Sequence, residues 1–230
     1  MLHRQKRKRR SSLLWRAVNY YPAFLNISGK NVVVVGGGAI AERKILTLIR
    51  AGAAVTVISP TLTPRLVREK EKNTIRHISR TYRKGDLTGS FLVIAATDIP
   101  SVNSKVAREA TSLVNVVDVP KECTFIAPSV VRRGPLTIAI STGGASPAFS
   151  KTIRTELEKA ISPDVGEYLV FVGEMREKAF AGICDRKKRE RFLRDLASEK
   201  VLQQLRTKGL VHMKKSAEER LLILMASCRP

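Results

Sequence analysis

From residue 30 onward the apolar positions follow two alternating rhythms. Asn31–Val35 (NVVVV) is an unbroken β-branched run, the pattern of a strand buried on both faces. Ala39–Ala51 then spaces Ile40, Ile45, Leu48 and Ile49 at near-helical intervals, and Gly52 ends it. The alternation continues with a strand over Ala54–Ile58, a short helix over Pro64–Lys72, and a weaker strand over Ile75–Ile78. A fourth strand follows over Phe91–Ala95, then a helix over about Ser101–Ser112 and a fifth strand over Val114–Val117. Strands that alternate with helices in this way predict a parallel sheet joined by right-handed crossovers.

The rhythm changes after Phe125. SVVRR and LTIAIS, joined at Gly134-Pro135, are too close together for a parallel crossover and read as a hairpin. Ser146-Pro147 opens a helix, with serine as the cap and proline in the first turn. Beyond Ser162-Pro163 the pattern is helical to the end, interrupted only by Gly166, Gly173, Gly182 and Gly209. There is no internal repeat. The predicted fold class is α/β: a Rossmann-type parallel-sheet domain, a small strand-helix segment, and a helical C-terminal module.

Charge changes this picture at two places. The 230 residues carry 42 Lys and Arg against 20 Asp and Glu, a net charge of +22. Arg4, Lys6, Arg7, Lys8, Arg9 and Arg10 crowd the opening, and DRKKRERFLR begins at Asp185. Such runs suit nucleic acid or an anionic membrane, but a solvated tail and an exposed helix face account for them equally simply, and that bland reading is preferred. The opening is Arg-rich and acid-poor like a transit peptide, yet lacks the apolar stretch of a secretory signal. No apolar run approaches the roughly 20 residues of a membrane span; those at Val32–Val35 and Leu221–Ala226 are core-sized. Cys123, Cys184 and Cys228 are scattered, which points to thiols in a reducing, cytoplasmic compartment and away from a disulfide framework or zinc.

The chemistry-bearing stretches come next. In VVGGGAIAERK, Gly36, Gly38 and Ala41 fit G-x-G-x-x-G/A between a predicted strand and helix. Gly36 permits the tight turn, Gly38 leaves room for a phosphate against bare backbone, and Ala41 lets the helix pack closely, with its N-terminal N–H groups facing the anion. The competing reading is a purely structural glycine turn. The acid that usually ends the second strand and grips a ribose is missing; Ile58-Ser59-Pro60-Thr61 stands there instead. Ser59 and Thr61 can meet a ribose neutrally, and Arg65 can favour a 2′-phosphate, so NAD and NADP both stay open. Thr97 and Asp98 end the fourth strand, and Asp118 ends the fifth within NVVDVPKE. Asp118 is either a site carboxylate at the ligand-binding edge or a turn-forming aspartate. STGGASP supplies Ser141, Thr142, Gly143, Gly144 and Ser146 before a helix start, either a second anion site or a capped loop. His3, His77 and His212 are too scattered to support a histidine mechanism.

Taken together, VVVVGGGAIAERK, AATD, NVVDVPKECTFIAPS and LTIAISTGGASP resemble, in order and spacing, the precorrin-2 dehydrogenase/sirohydrochlorin ferrochelatase family, which includes the N-terminal half of siroheme synthase. The resemblance runs from about Pro22 to Ile161. It implies NAD-dependent oxidation of precorrin-2 to sirohydrochlorin, with ferrous iron as a further substrate in the bifunctional members. It places the family's catalytic aspartate on Asp118. Its NAD contacts fall on Gly36, Gly37, Gly38, Ala39 and Ile40, and on the turn at Pro60 and Thr61, with Ser59 and Thr97 beside them. Tetrapyrrole contacts are expected at Lys121, Ser141, Thr142, Gly143, Gly144 and Ser146, with Arg132 and Arg133 next in line or facing solvent. No distinctive metal-ligand cluster is readable in the sequence, so no metal-site residues are expected. Thr142 stands where some relatives have serine. The resemblance also implies a homodimer that interlocks through about 128–161. The expected division is then a basic tail over 1–21, an NAD-binding domain over 22–127, the dimerisation segment over 128–161 and the helical module over 162–230. No tetrapyrrole methyltransferase domain follows, so uroporphyrinogen methylation is not expected; neither a membrane nor nucleic acid is an expected partner. Partial burial is expected to raise the pKa of Asp118 and suit it to accept a proton. Two rivals remain: an NAD-binding sensor without turnover, and a nucleic-acid-binding protein that uses the basic tail.

Overall fold

The structure, a computed structural model, describes residues 20–227. Cys228, His3 and the expectations for the opening basic run lie outside the described residues. The described residues divide into two compact units, one ending at Ala127 and the other beginning at Pro128.

The first unit is a five-stranded parallel sheet in the order β3-β2-β1-β4-β5. Its strands are β1 (Asn31–Val35), β2 (Ala54–Ile58), β3 (Ile75–Ile78), β4 (Leu92–Ala95) and β5 (Leu113–Val116). The helices α1 (Ala39–Arg50), α2 (Pro64–Glu71) and α3 (Pro100–Glu109) connect them. β1 is buried on both faces, as its unbroken apolar run requires: Val32 and Val34 join Ala41, Ile45 and Leu66 on one side, while Val33 and Val35 join Val93, Val106 and Val116 on the other. The order reverses between β1 and β4, and at such a switch point open α/β sheets bind ligands beyond the strands' carboxyl ends.

The connection from β3 to β4 carries no helix. It is a turn-rich loop that packs Tyr82 and Leu87 onto the second face. Arg80 fixes it by a two-pronged pair with Asp86, Nη1 to Oδ2 and Nη2 to Oδ1 both at 2.7 Å. The Arg80 bonds and the amide of Arg83 hold the Asp86 carboxyl below its usual range.

In the second unit, β6 (Ser129–Arg133) and β7 (Leu136–Ile140) form an antiparallel hairpin. The helices α4 (Pro147–Ala160), α5 (Pro163–Gly182), α6 (Arg186–Leu196) and α7 (Val201–Ala226) follow. Tyr168, Phe171, Met175, Phe192, Leu196, Leu205 and Leu221 form the core of the last three helices. The reading of one helical stretch broken only by glycines is corrected here. The breaks fall at 183–185 and 197–200, and Gly166 and Gly173 lie inside α5 without breaking it. Asp185 starts α6 by accepting from the amides of Lys187 and Lys188 at 2.8 and 3.0 Å, a side-chain cap that ends the preceding segment. Gly166 instead serves packing, because a Cβ there would stand 2.6 Å from the Arg133 carbonyl carbon; its bare backbone lets α5 approach the hairpin turn. Only Gly209, at φ 78°, kinks its helix. Leu222 and Ile223 of the last apolar run are exposed, and no helix among the described residues is long and apolar enough to cross a membrane.

Candidate functional site

The turn after β1 is built around atoms that leave no space for side chains. Gly36 donates to the Ile58 carbonyl at 2.9 Å and has φ 124°. A Cβ at Gly36 would lie 2.2 Å from the Ala96 carbonyl oxygen, and one at Gly37 would lie 2.1 Å from that of Thr61. Gly38 is different. A Cβ there meets nothing within 4 Å, so the protein's own packing does not require glycine. Gly38 is also the N-cap of α1, and no side chain caps the helix. Among the described residues, none of the amides from Gly37 to Ala41 donates a hydrogen bond. Open space before a row of unused, convergent N–H groups at a helix N-terminus fits a pyrophosphate. Ala41 is fully buried against the sheet, while Ala39 and Ile40 are exposed at the mouth.

The loop after β2 forms the adjoining wall. Thr63 donates its amide to the Gly37 carbonyl at 3.1 Å and its hydroxyl to Glu42 at 2.5 Å, which ties down the one carboxylate in the first turn of α1. Ser59 is buried and donates its hydroxyl to the Thr61 carbonyl at 2.7 Å. Its side chain therefore shapes the turn instead of facing a ribose, a correction to the neutral ribose contact expected of it. Pro60 and Thr61 are exposed at the edge. Thr97 is similarly held in its own turn: its amide and hydroxyl both donate to Oδ1 of buried Asn103, at 3.1 and 2.8 Å.

At the end of β5 the chain turns sharply. Val119 donates to the Val116 carbonyl at 3.4 Å, and Asp118 takes φ 61°, a left-handed conformation that aspartate tolerates better than most residues. The side chain is exposed, so the expected partial burial of Asp118 is not found. Among the described residues no hydrogen bond engages its carboxylate, which leaves it available to a docked molecule. A 3-10 turn (Pro120–Glu122) follows and carries exposed Lys121. Cys123 then folds back: its sulfur accepts from the Val116 amide at 3.1 Å, and its thiol has the carbonyls of Val116 and Val119 within reach at 3.2 and 3.4 Å. Thr124 bonds Val114 through its amide and hydroxyl, so this returning segment covers the edge of the sheet.

Sequence reasoning missed three residues here. Asn115 is buried in β5 and accepts from Lys44 of α1 at 2.9 Å, while its amide nitrogen donates to the Phe125 carbonyl at 3.0 Å. Its signal was available, a lone amide inside the apolar LVNVV. Lys44 and Asn103 gave none, because their partners are distant in sequence or lie across a turn.

In the second unit the STGGASP loop is closed on itself. Gly143 and Gly144 have positive φ. Thr142 Oγ1 accepts from the Ser146 amide at 3.1 Å and lies 3.3 Å from Ser150 Oγ. The amides of Gly143 and Ala145 bond Ser141 Oγ and the Thr142 carbonyl, and Ser146 caps α4 by accepting from Phe149. The hydroxyls expected to meet substrate are thus committed to the loop. Arg133 is also structural: it donates to the carbonyls of Ile161 and Glu158, at 2.8 Å each, at the end of α4. Among the described residues no group of three or more His, Cys, Asp or Glu could hold a metal ion.

A doubly wound parallel sheet with an uncapped helix behind a glycine turn defines the first unit as a dinucleotide-binding fold. Two family profiles match the chain: one described as putative NAD(P)-binding over residues 23–129, and one described as sirohaem biosynthesis protein central over residues 133–160. A siroheme synthase of Methylobacillus flagellatus is 45% identical over 159 residues, which are 68% of this chain and 34% of that protein. Siroheme synthase 3 of Aeromonas hydrophila is 37% identical over 84% of this chain and 42% of its own length. The chain thus spans well under half of the curated relatives it matches. Among solved structures, SirC, a precorrin-2 dehydrogenase, superposes with a TM-score of 0.76 at 27% identity, covering 87% of this chain and 100% of that one. The chain is thus related to the siroheme synthases over part of their length and to the precorrin-2 dehydrogenase SirC over all of its length.

Proposed function

We propose that this protein oxidises precorrin-2 to sirohydrochlorin with NAD as the electron acceptor, a step in making siroheme. The observation that carries the reading is the pairing, within one sheet, of an uncapped α1 N-terminus open at Gly38 and an unengaged carboxylate, Asp118, at the carboxyl edge. Gly36 to Ile40 would hold the pyrophosphate of NAD, with Pro60 and Thr61 along its ribose. Bound NAD supplies a hydride acceptor. The remaining chemistry is proton transfer: the oxidation removes two electrons and two protons, and one proton leaves apart from the hydride. Asp118 is the acceptor for that proton. Its exposure lets a substrate N–H or C–H reach it directly, and a positioned carboxylate base contributes on the order of 100-fold or more to such a step.

The same carboxylate supports a second activity, insertion of ferrous iron as substrate, because two pyrrole protons must leave as the metal enters. Lys121 is a proposed contact for substrate carboxylates, and the net charge of +22 favours the encounter. A homodimer through 128–161 is supported by the two-stranded hairpin, whose outer edges are unpaired, and by exposed Phe149 on α4. The compartment proposed is the cytoplasm, which suits scattered thiols.

The test is one anaerobic sample given precorrin-2 and NAD, then ferrous iron, with absorbance recorded at each step. Formation of NADH and sirohydrochlorin, followed by the siroheme spectrum, is the expected outcome. NAD binding without NADH formation would instead mark a sensor.

A further inference from the structure

Asn115 is the polar residue that interrupts the buried strands beside the candidate site; it is 7% exposed. Its side chain links two parts of the first unit. Oδ1 accepts from Lys44 Nζ at 2.9 Å, and Nδ2 donates to the Phe125 carbonyl at 3.0 Å and lies 3.6 Å from Cys123 Sγ. Lys44 lies five residues into α1, the helix whose N-terminus faces the proposed pyrophosphate. Helical side chains lean toward the N-terminus, so this lysine extends toward the sheet's carboxyl edge.

The lysine is unusual in its surroundings. It is half-buried and forms no ion pair within 4 Å among the described residues; its hydrogen-bond partner is a neutral amide. Burial lowers its pKa, Cys123 and Asp118 act in the opposite direction, and neighbouring Arg43 lowers it further. Holding a cation there without an ion pair costs stability, so packing alone does not account for the residue. On the far side of Asn115, the Cys123 sulfur clasps the turn that carries Asp118. A continuous chain of contacts therefore runs from the cofactor helix through Lys44, Asn115 and Cys123 to the Asp118 turn.

We infer that Lys44 is a positioning residue for Asp118, fixing the carboxylate's turn relative to the helix that holds the cofactor. The inference rests on the proposed role of Asp118 as proton acceptor. Lys44 itself need touch neither substrate nor cofactor. Losing its bond lets the end of β5 shift against α1, and a shift of about 1 Å at a reacting group can cost on the order of 100-fold.

The test compares wild type, Lys44→Met and Lys44→Arg by steady-state kinetics with precorrin-2 and NAD, and by hydrogen exchange over residues 113–125. In Lys44→Met, kcat should fall about 10- to 100-fold while KM for NAD stays within about twofold. Lys44→Arg, which keeps a charged donor, should recover most of kcat. Exchange over 113–125 should quicken in Lys44→Met while 31–58 stays protected. Unchanged kcat in Lys44→Met, or equal loss in both variants together with weakened NAD binding, overturns the inference while leaving the dehydrogenase reading intact. An inactive wild type overturns that reading instead, and hydrogen exchange then decides on the coupling: unchanged protection over 113–125 in Lys44→Met refutes it.

Discussion

Two glycine-rich turns lead into helices in this chain, and they end differently. After β1, GGG delivers the chain to α1 with no side-chain cap, and the amides from Gly37 to Ala41 donate no hydrogen bond. After β7, STGG delivers it to α4 with Ser146 as a cap, and Thr142 binds back on the loop. Both match the outline of an anion site. The difference lies in whether the backbone N–H groups already have partners within the chain. A glycine turn before a helix predicts an anion site only when no serine or threonine nearby can satisfy those amides first.

The first turn is vulnerable at Gly37. Gly37→Ala puts a methyl group 2.1 Å from the Thr61 carbonyl oxygen, so the loop after β2 must move. A loss of about 1–3 kcal/mol in stability and of measurable NAD binding is expected, read by thermal unfolding and calorimetric titration. Gly38→Ala separates packing from binding. The methyl group enters open space, so stability should hold within about 0.5 kcal/mol, while NAD affinity falls by about tenfold or more because the methyl group sits where the phosphate approaches. Equal NAD affinity in Gly38→Ala would mean that the open space is not the cofactor's.

Ser146→Ala probes the other turn. Removing the cap should cost about 1 kcal/mol in the second unit and leave NAD affinity unchanged, as chemical denaturation and titration will report. The smallest effect concerns acid. Asp86 has its pKa lowered in the folded chain, mainly by Arg80, so its contribution is complete above the unfolded value near 4 and is lost as pH falls through the lower folded value. Asp86→Asn should therefore be less stable than wild type at pH 7, with the gap closing as pH drops from about 5 toward 2. A gap that widens in acid would contradict the assignment of Arg80 and Asp86 as an ionised pair.

Much of the first unit was legible because its signals are local and periodic. The run NVVVV has the pattern of a strand buried on both faces, and GGG followed by AIAERK that of a turn into a helix, so β1, the loop and α1 fall where the pattern puts them. The end of β5 was half legible. NVVD marks an acid leaving a strand, but its positive φ and its exposure accompany the Cys123 clasp on the same turn, a contact that no spacing rule encodes. Lys44 and Asn115 lie 71 residues apart, and only the parallel crossover brings them together. The helical module was the least legible. Its breaks depend on Asp185 capping α6 and on which apolar faces meet in the core, whereas two of the glycines that looked like breaks serve close approach, Gly166 against Arg133 and Gly182 against Met225.

The proton-acceptor role of Asp118 stands or falls on the rate of NADH formation by Asp118→Asn on anaerobic mixing with saturating precorrin-2 and NAD. Asparagine keeps the shape and removes the basicity. The expected result is NAD bound at wild-type affinity with turnover lowered by roughly 100-fold or more. Turnover at the wild-type rate would contradict it, and Asp118 would then be no more than the residue that makes the turn.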